Sequence, residues 1–266
     1  MAPRSRSADP AEEAEEADAP AAPTIQTVQR AALILDSFTV GKPHLSLNEI
    51  TTRLGASKAT AHRYTKALRA ANLLRDDERT ALYSLGPQVF TLAASARAGL
   101  PIVTAAEPHM ERLVKKVGET VVLSVWDGET PTVVRSADNT DHIVRISVRP
   151  GSRLDRTNSA QGRVFCAYLP TDQVPGLARL LRKDRQLRDE LESIRSHGLS
   201  VNSPALNGVR TIAAPIFERN MIIASMAIVG TTVSVPDDVD SPMAKALHST
   251  TSALSQQLGN ADPLAG

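Results

Sequence analysis

The chain has 266 residues, 42% of them hydrophobic and only 3% aromatic, and a formal net charge of +1. That length suffices for two domains with real cores, and the absence of any run of about 18 apolar residues excludes a membrane-spanning helix. A single cysteine, Cys166, excludes an intrachain disulfide, and the N-terminus lacks the apolar stretch of a secretory signal, so a cytoplasmic location is expected.

The small net charge hides a sorting. Residues 1–23 carry two bases against six acids, 24–87 nine against five, and 88–266 nineteen against eighteen. The positive excess sits almost wholly in one segment.

In chain order, residues 1–23 are rich in Ala, Glu and Pro with little to bury, and a disordered acidic tail is expected. An arm that masks a basic surface is the alternative. From Thr24 the pattern turns helical, with Val28, Ala31, Ala32, Leu35 and Phe38 at three- and four-residue spacings. After a break at "GKPHL", Ser46 followed by Glu49 is a capping-box pattern, and Leu47, Ile50 and Leu54 form a buried stripe. Gly55 suits a left-handed helix stop. Ser57 caps a further helix whose apolar side is Ala61, Tyr64 or Thr65, and Leu68. Helix, glycine turn and basic helix make a helix-turn-helix. Two short strands around a polar turn at Asp76–Arg79 then form a wing.

The stretch Gln88–Ala98 reads as a linker helix, apolar on one side, with a break at Gly99–Pro101 and a second helix over Val103–Val117. Strands are expected in "ETVVLSVWDG", "TPTVVRSAD" and "HIVRISVRPG". A helix follows Ser159, another covers Leu187–His197, strands return at "GVRTIAAPIF" and "MIIASMAIVG", and a last helix covers Ser241–Leu258. Pro170 and Pro175 bound a loop. The pattern is α+β.

Between Ser57 and Arg75 there are five basic residues and no acid. A helix that enters the DNA major groove needs polar or basic side chains near its start to reach base edges. Ser57, Lys58, Thr60, His62 and Arg63 meet that need; Lys66 and Arg69, further along, suit phosphate. Arg79 at the wing tip and Arg30 on the first helix are further backbone candidates. The competing reading is a merely solvated face. Tyr64 suits core packing better than DNA contact.

Two further stretches, "RPGSRLDRTNSAQGRVFCAYLP" and "IRSHGLSVNSPALNGVRTIAAPIF", together with "LSLNEITTRLGASKATAHRYTKAL", make the chain resemble the isocitrate lyase regulator (IclR) family over about residues 24–258. The resemblance implies a winged helix-turn-helix domain at 24–87, a linker helix at 88–99, and a C-terminal α/β, GAF-like domain at 100–260 that binds a small effector and supports homodimers or homotetramers. The implied partners are a double-stranded DNA operator and that effector, with no membrane, no cofactor and no catalysis. The family's effector positions fall here on Leu154, Ser159, Ala160, Gln161, Gly162, Thr211, Ala227 and Val229. Relatives that bind small 2-oxo acids carry hydroxyls where this chain has Ala227 and Val229, so a larger or more apolar effector is expected, walled also by Met226-side packing. Gly162 is expected to let a ligand or a neighbouring strand come close. Ala59 replaces the small hydroxyl residue that the family has after the lysine.

Cys166, in "VFCAYL", reads as a packed small hydrophobe, and the six histidines show no paired metal spacing. A hydrolase acting through Ser159, or a sensor that works without DNA, is the alternative from another class.

Overall fold

Local caps begin the first half of the molecule. The computed structural model describes residues 25–39, 41–138, 146–202 and 208–259. Three helices, α1 (Gln26–Asp36), α2 (Leu47–Leu54) and α3 (Lys58–Ala70), pack with a small antiparallel sheet of β1 (Leu45–Ser46), β2 (Leu74–Asp77) and β3 (Leu82–Leu85), in the order β1-β3-β2. The expected capping box at α2 is complete: the Ser46 hydroxyl accepts from the Glu49 N–H, and the Glu49 carboxylate accepts from the Ser46 N–H at 2.8 Å. Gly55 closes α2 at φ 59°, ψ 33°, the left-handed conformation for which glycine carries no penalty.

This unit buries Ile34, Phe38, Leu45, Ile50, Leu54, Ala61, Tyr64, Leu68, Leu74 and Tyr83. The first helix departs from expectation. Ile34 is its one fully buried residue, Val28 is 63% exposed, and Phe38 lies beyond the helix end at Ser37. Apolar residues lie on more than one side of α1, so spacing alone does not say which side meets the core. The strand β1 was not foreseen. At two residues it is too short to show alternation.

The helix α4 (Gln88–Ala98) leads through a break into α5 (Pro101–Val117), which starts with a proline at its first position. The second sheet has five antiparallel strands in the order β5-β4-β8-β7-β6: β4 (Thr120–Trp126), β5 (Pro131–Ala137), β6 (Ser200–Asn202), β7 (Val209–Glu218) and β8 (Met221–Thr231). One face packs on α5 and α9 (Pro242–Gln257). The other packs on α6 (Ala160–Tyr168) and α8 (Arg185–His197).

Three corrections follow. The stretch 146–151 has no strand, residues 142–145 of that expected strand lie outside the described residues, and so does the acidic tail. The region after Pro170 is no plain loop: a 3-10 turn at Thr171–Gln173 leads to α7 (Leu177–Lys183). The linker helix is not apolar on one side only. Among its residues with described side chains only Val89 is half-buried, and Phe90 is 78% exposed.

Candidate DNA-reading surface and effector site

Recognition depends on which side of α3 stays wet. The Ser57 hydroxyl accepts from the Thr60 N–H at 3.3 Å and lies 3.0 Å from the Thr60 hydroxyl, so both residues serve the cap. Ala61, Tyr64, Thr65 and Leu68 are buried, the stripe expected from spacing. Lys58, His62, Arg63, Lys66 and Arg69 are exposed. At 13 residues the helix is about 20 Å long, a rod that fits a major groove about 12 Å wide. Lys58, Arg63 and Lys66 make no ion pair with any described residue. Cations held in this way are free for phosphate or guanine edges.

The supports of this surface are polar and local. Arg53 on α2 donates to the Ser37 carbonyl at 3.0 Å, which ties α2 to the end of α1. Glu49 is paired with Lys42, and this contact together with the Ser46 hydrogen bonds holds its carboxyl down at about 2. Arg79 stands at the wing tip with its side chain 92% exposed, 4.0 Å from Asp77. Arg69 differs from the other cations: its guanidinium meets the Asp76 carboxylate at 2.8 Å. The run of bases has no acid within it, but the first acid after it folds back onto it.

The expected effector positions divide between the start of α6 and two apolar clusters. Val229 and Leu154 belong to a cluster with Val122, Val133, Ile146, Val148 and Val209. Ala160 and Ala227 belong to the cluster under α6 and α8. Thr211 lies opposite Val229 in the sheet register and is half-buried. Met226 is on the opposite face of the sheet, in the core against α5 and α9, because neighbours along a strand point to opposite faces; it walls nothing near α6.

The Ser159 hydroxyl accepts from the Gly162 N–H at 2.9 Å and donates to the Asp155 carbonyl at 2.5 Å. Burial pushes the Asp155 carboxyl up, but the N–H groups of Asn158 and Thr157 outweigh this and leave it below its ordinary value. At Gly162 the segment that comes close is the chain's own Asp155–Arg156 backbone. A Cβ there would lie 2.3 Å from the Asp155 carbonyl oxygen and 2.4 Å from that of Arg156. The Gln161 amide donates to the Ser225 carbonyl at 3.0 Å and is buried, which pins α6 to β8. On the α6-facing side of β4, the buried Ser124 hydroxyl and the Trp126 indole N–H have no hydrogen-bond partner among the described residues. Cys166 is buried, and burial pushes its thiol up to about 11, which suppresses the thiolate. Among the described residues no group of His, Cys, Asp and Glu could hold a metal ion, and no single helix is long and apolar enough to cross a membrane.

Residues 27–78 match the model of the IclR helix-turn-helix domain, and residues 94–256 match that of the bacterial transcriptional regulator IclR C-terminal domain. The chain belongs to the IclR family. Its curated relatives include the HTH-type transcriptional regulator BhcR of Paracoccus denitrificans, 29% identical over 218 residues that cover 78% of this chain and 76% of that protein. Among solved structures, a putative IclR transcriptional regulator from Silicibacter sp. TM1040 aligns with a TM-score of 0.79 at 25% identity, covering 89% of this chain and 98% of that one. An IclR homolog from Microbacterium hydrocarbonoxydans, complexed with 4-hydroxybenzoate, aligns at 0.72 with 20% identity over 88% and 99% of the two chains. The protein is thus an IclR-family, DNA-binding transcriptional regulator with a C-terminal effector-binding domain, and the hydrolase alternative finds no support in these relatives. Sequence reasoning missed Asp76, whose role depends on a turn bringing it back to α3. It also missed Ser124, one serine in an apolar strand with no motif around it.

Proposed function

We propose that this regulator reads its operator with α3, using Lys58 and Arg63 on base edges and Lys66 on the phosphate backbone. The observation that carries this reading is the exposed row of cations on α3 without ion pairs. Selection of duplexes from fragmented genomic DNA, followed by gel shifts, tests it. Lys58→Ala/Arg63→Ala should abolish the specific shift, since each base contact contributes about 1–3 kcal/mol of discrimination. Equal retardation by wild type and variant would sink the assignment.

The paired heads that a near-palindromic operator needs come from a homodimer. Its seam is the exposed apolar surface of α4, where Phe90 and Leu92 face solvent in the single chain, together with Val28 and Leu33 of α1. Phe90→Asp/Leu92→Asp should shift the light-scattering mass towards the monomer, and an unchanged mass would remove α4 from the seam.

The effector is a small acid with an apolar body. Its body suits the cluster of Val122, Val133, Val229 and Leu154, and its polar end suits the start of α6, whose first two N–H groups have no partner within the helix. The 4-hydroxybenzoate of the Microbacterium homolog has that chemistry. Calorimetric titration with benzoate-type acids beside pyruvate separates this effector from a small 2-oxo acid. Tighter binding of pyruvate would overturn the apolar reading.

A further inference from the structure

Between the C-terminal half of α3 and the strand β2 lies an open notch of about 450 Å³, lined by Lys66, Arg69, Ala70, Leu74, Arg75 and Asp76. Three of the six side chains are cations. Arg75 donates its Nε–H to the Ser84 hydroxyl at 2.9 Å, which fixes the guanidinium at its root while its terminal amines bond to no described residue. Lys66 makes no ion pair with any described residue. Arg69 alone of the three is ion-paired, with Asp76. The side chains of that pair are 45% and 25% exposed, so water reaches both partners.

We propose that this notch seats one phosphate of the DNA backbone, and that Asp76 competes with that phosphate for Arg69. The inference rests on the DNA-reading role of α3. An exposed Arg–Asp pair contributes little and is easily exchanged. A phosphate offers the guanidinium two acceptor oxygens in a fork, a stronger match than one carboxylate oxygen at the edge of the wing. Lys66 lines the same notch and carries no ion pair with any described residue, so it can share the negative charge. When the phosphate enters, Asp76 loses its partner and lies next to a like charge. The carboxylate therefore subtracts from backbone affinity without touching base recognition. It lowers binding to every sequence alike, which favours a protein that must leave non-specific DNA to find one operator.

Fluorescence anisotropy with a labelled mixed-sequence duplex, across a KCl titration, tests the competition on the full chain. Asp76→Asn should bind about two- to fivefold tighter than wild type, the range set by an exposed ion pair. Its log–log salt slope should steepen by less than about 0.9, the amount for one whole phosphate, because Asp76 offsets that phosphate only in part. In an Arg69→Ala background the same substitution should lose most of that gain and the added slope. In a Lys58→Ala/Arg63→Ala background the gain should persist, because base reading is not involved. An equal gain with and without Arg69 would overturn the proposal, since Asp76 would then act only through its distant field. Unchanged binding with lowered thermal stability would also overturn it, making the pair a strut between helix and wing; Asp76→Ser repeats the comparison with a different side chain. Wild type that binds no duplex even at the lowest salt would instead remove the DNA-reading role of α3, and the notch with it.

Discussion

Two helices of this chain begin with the same device and are put to opposite uses. Ser57 caps α3 by accepting from the N–H three residues on, and Ser159 caps α6 in the same way. Four of the thirteen residues of α3 are buried, whereas seven of the nine residues of α6 are. The cap starts a helix; the side chains of the first turn decide what the helix meets. In α3 the first turn carries Lys58 and leads to Arg63 and Lys66, which stay in water. In α6 it carries Ala160, Gln161 and Gly162, small or hydrogen-bonded groups that let the helix lie against β7 and β8. On the function proposed above, the first of these helix ends meets a polyanion. The other packs against its own chain, and its first two N–H groups have no partner within the helix.

The contrast is sharpest three positions after each cap, where α3 has Thr60 and α6 has Gly162. Gly162→Ala should destabilise the C-terminal domain by about 1–3 kcal/mol, because the added methyl meets two backbone carbonyls that cannot rotate away. Thr60→Ala, on the wet helix, should stay within about 0.5 kcal/mol of wild type. Trp126 is the single tryptophan and lies on β4 of the C-terminal domain, so urea unfolding followed by its fluorescence reads the first effect, while calorimetry of the whole chain covers the second. Wild-type stability in Gly162→Ala would mean that the Asp155–Arg156 turn moves freely, and the comparison would fail.

A smaller effect separates the two helices by consequence rather than size. Ser57→Ala and Ser159→Ala should each cost about 1 kcal/mol, the usual worth of a cap. The first should weaken DNA binding with Trp126 fluorescence unchanged. The second should disturb the fluorescence and the effector affinity, and leave binding to a non-specific duplex as it was. If both variants lost DNA binding equally, the two ends would be coupled without any ligand.

Much of this was legible in the sequence because it is decided within a few residues. The capping box at Ser46 and Glu49, the left-handed stop at Gly55 and the cap at Ser57 each depend on side chains three positions apart or on one missing Cβ. The buried stripe of α3 followed from periodicity, and the end of α4 from the break at Gly99–Pro101. The effector positions were legible only as a set, since a resemblance names positions and not the directions of side chains. Within that set, the register of β8 sends Val229 to one apolar cluster and Ala227 to its neighbour, and turns Met226 to the opposite face.

The sequence by itself determined where α2 and α3 start and where α2 stops, the sorting of positive charge into residues 24–87, and the acid-free run of bases from Lys58 to Arg75. Only the tertiary structure decided which side of α1 meets the core, which short strands β1 and β6 find partners, and that Asp76 returns to neutralise Arg69. The physical reason is range. Caps and helical periodicity act through neighbours along the chain, whereas burial, strand pairing and ion pairing depend on what the fold brings close from elsewhere.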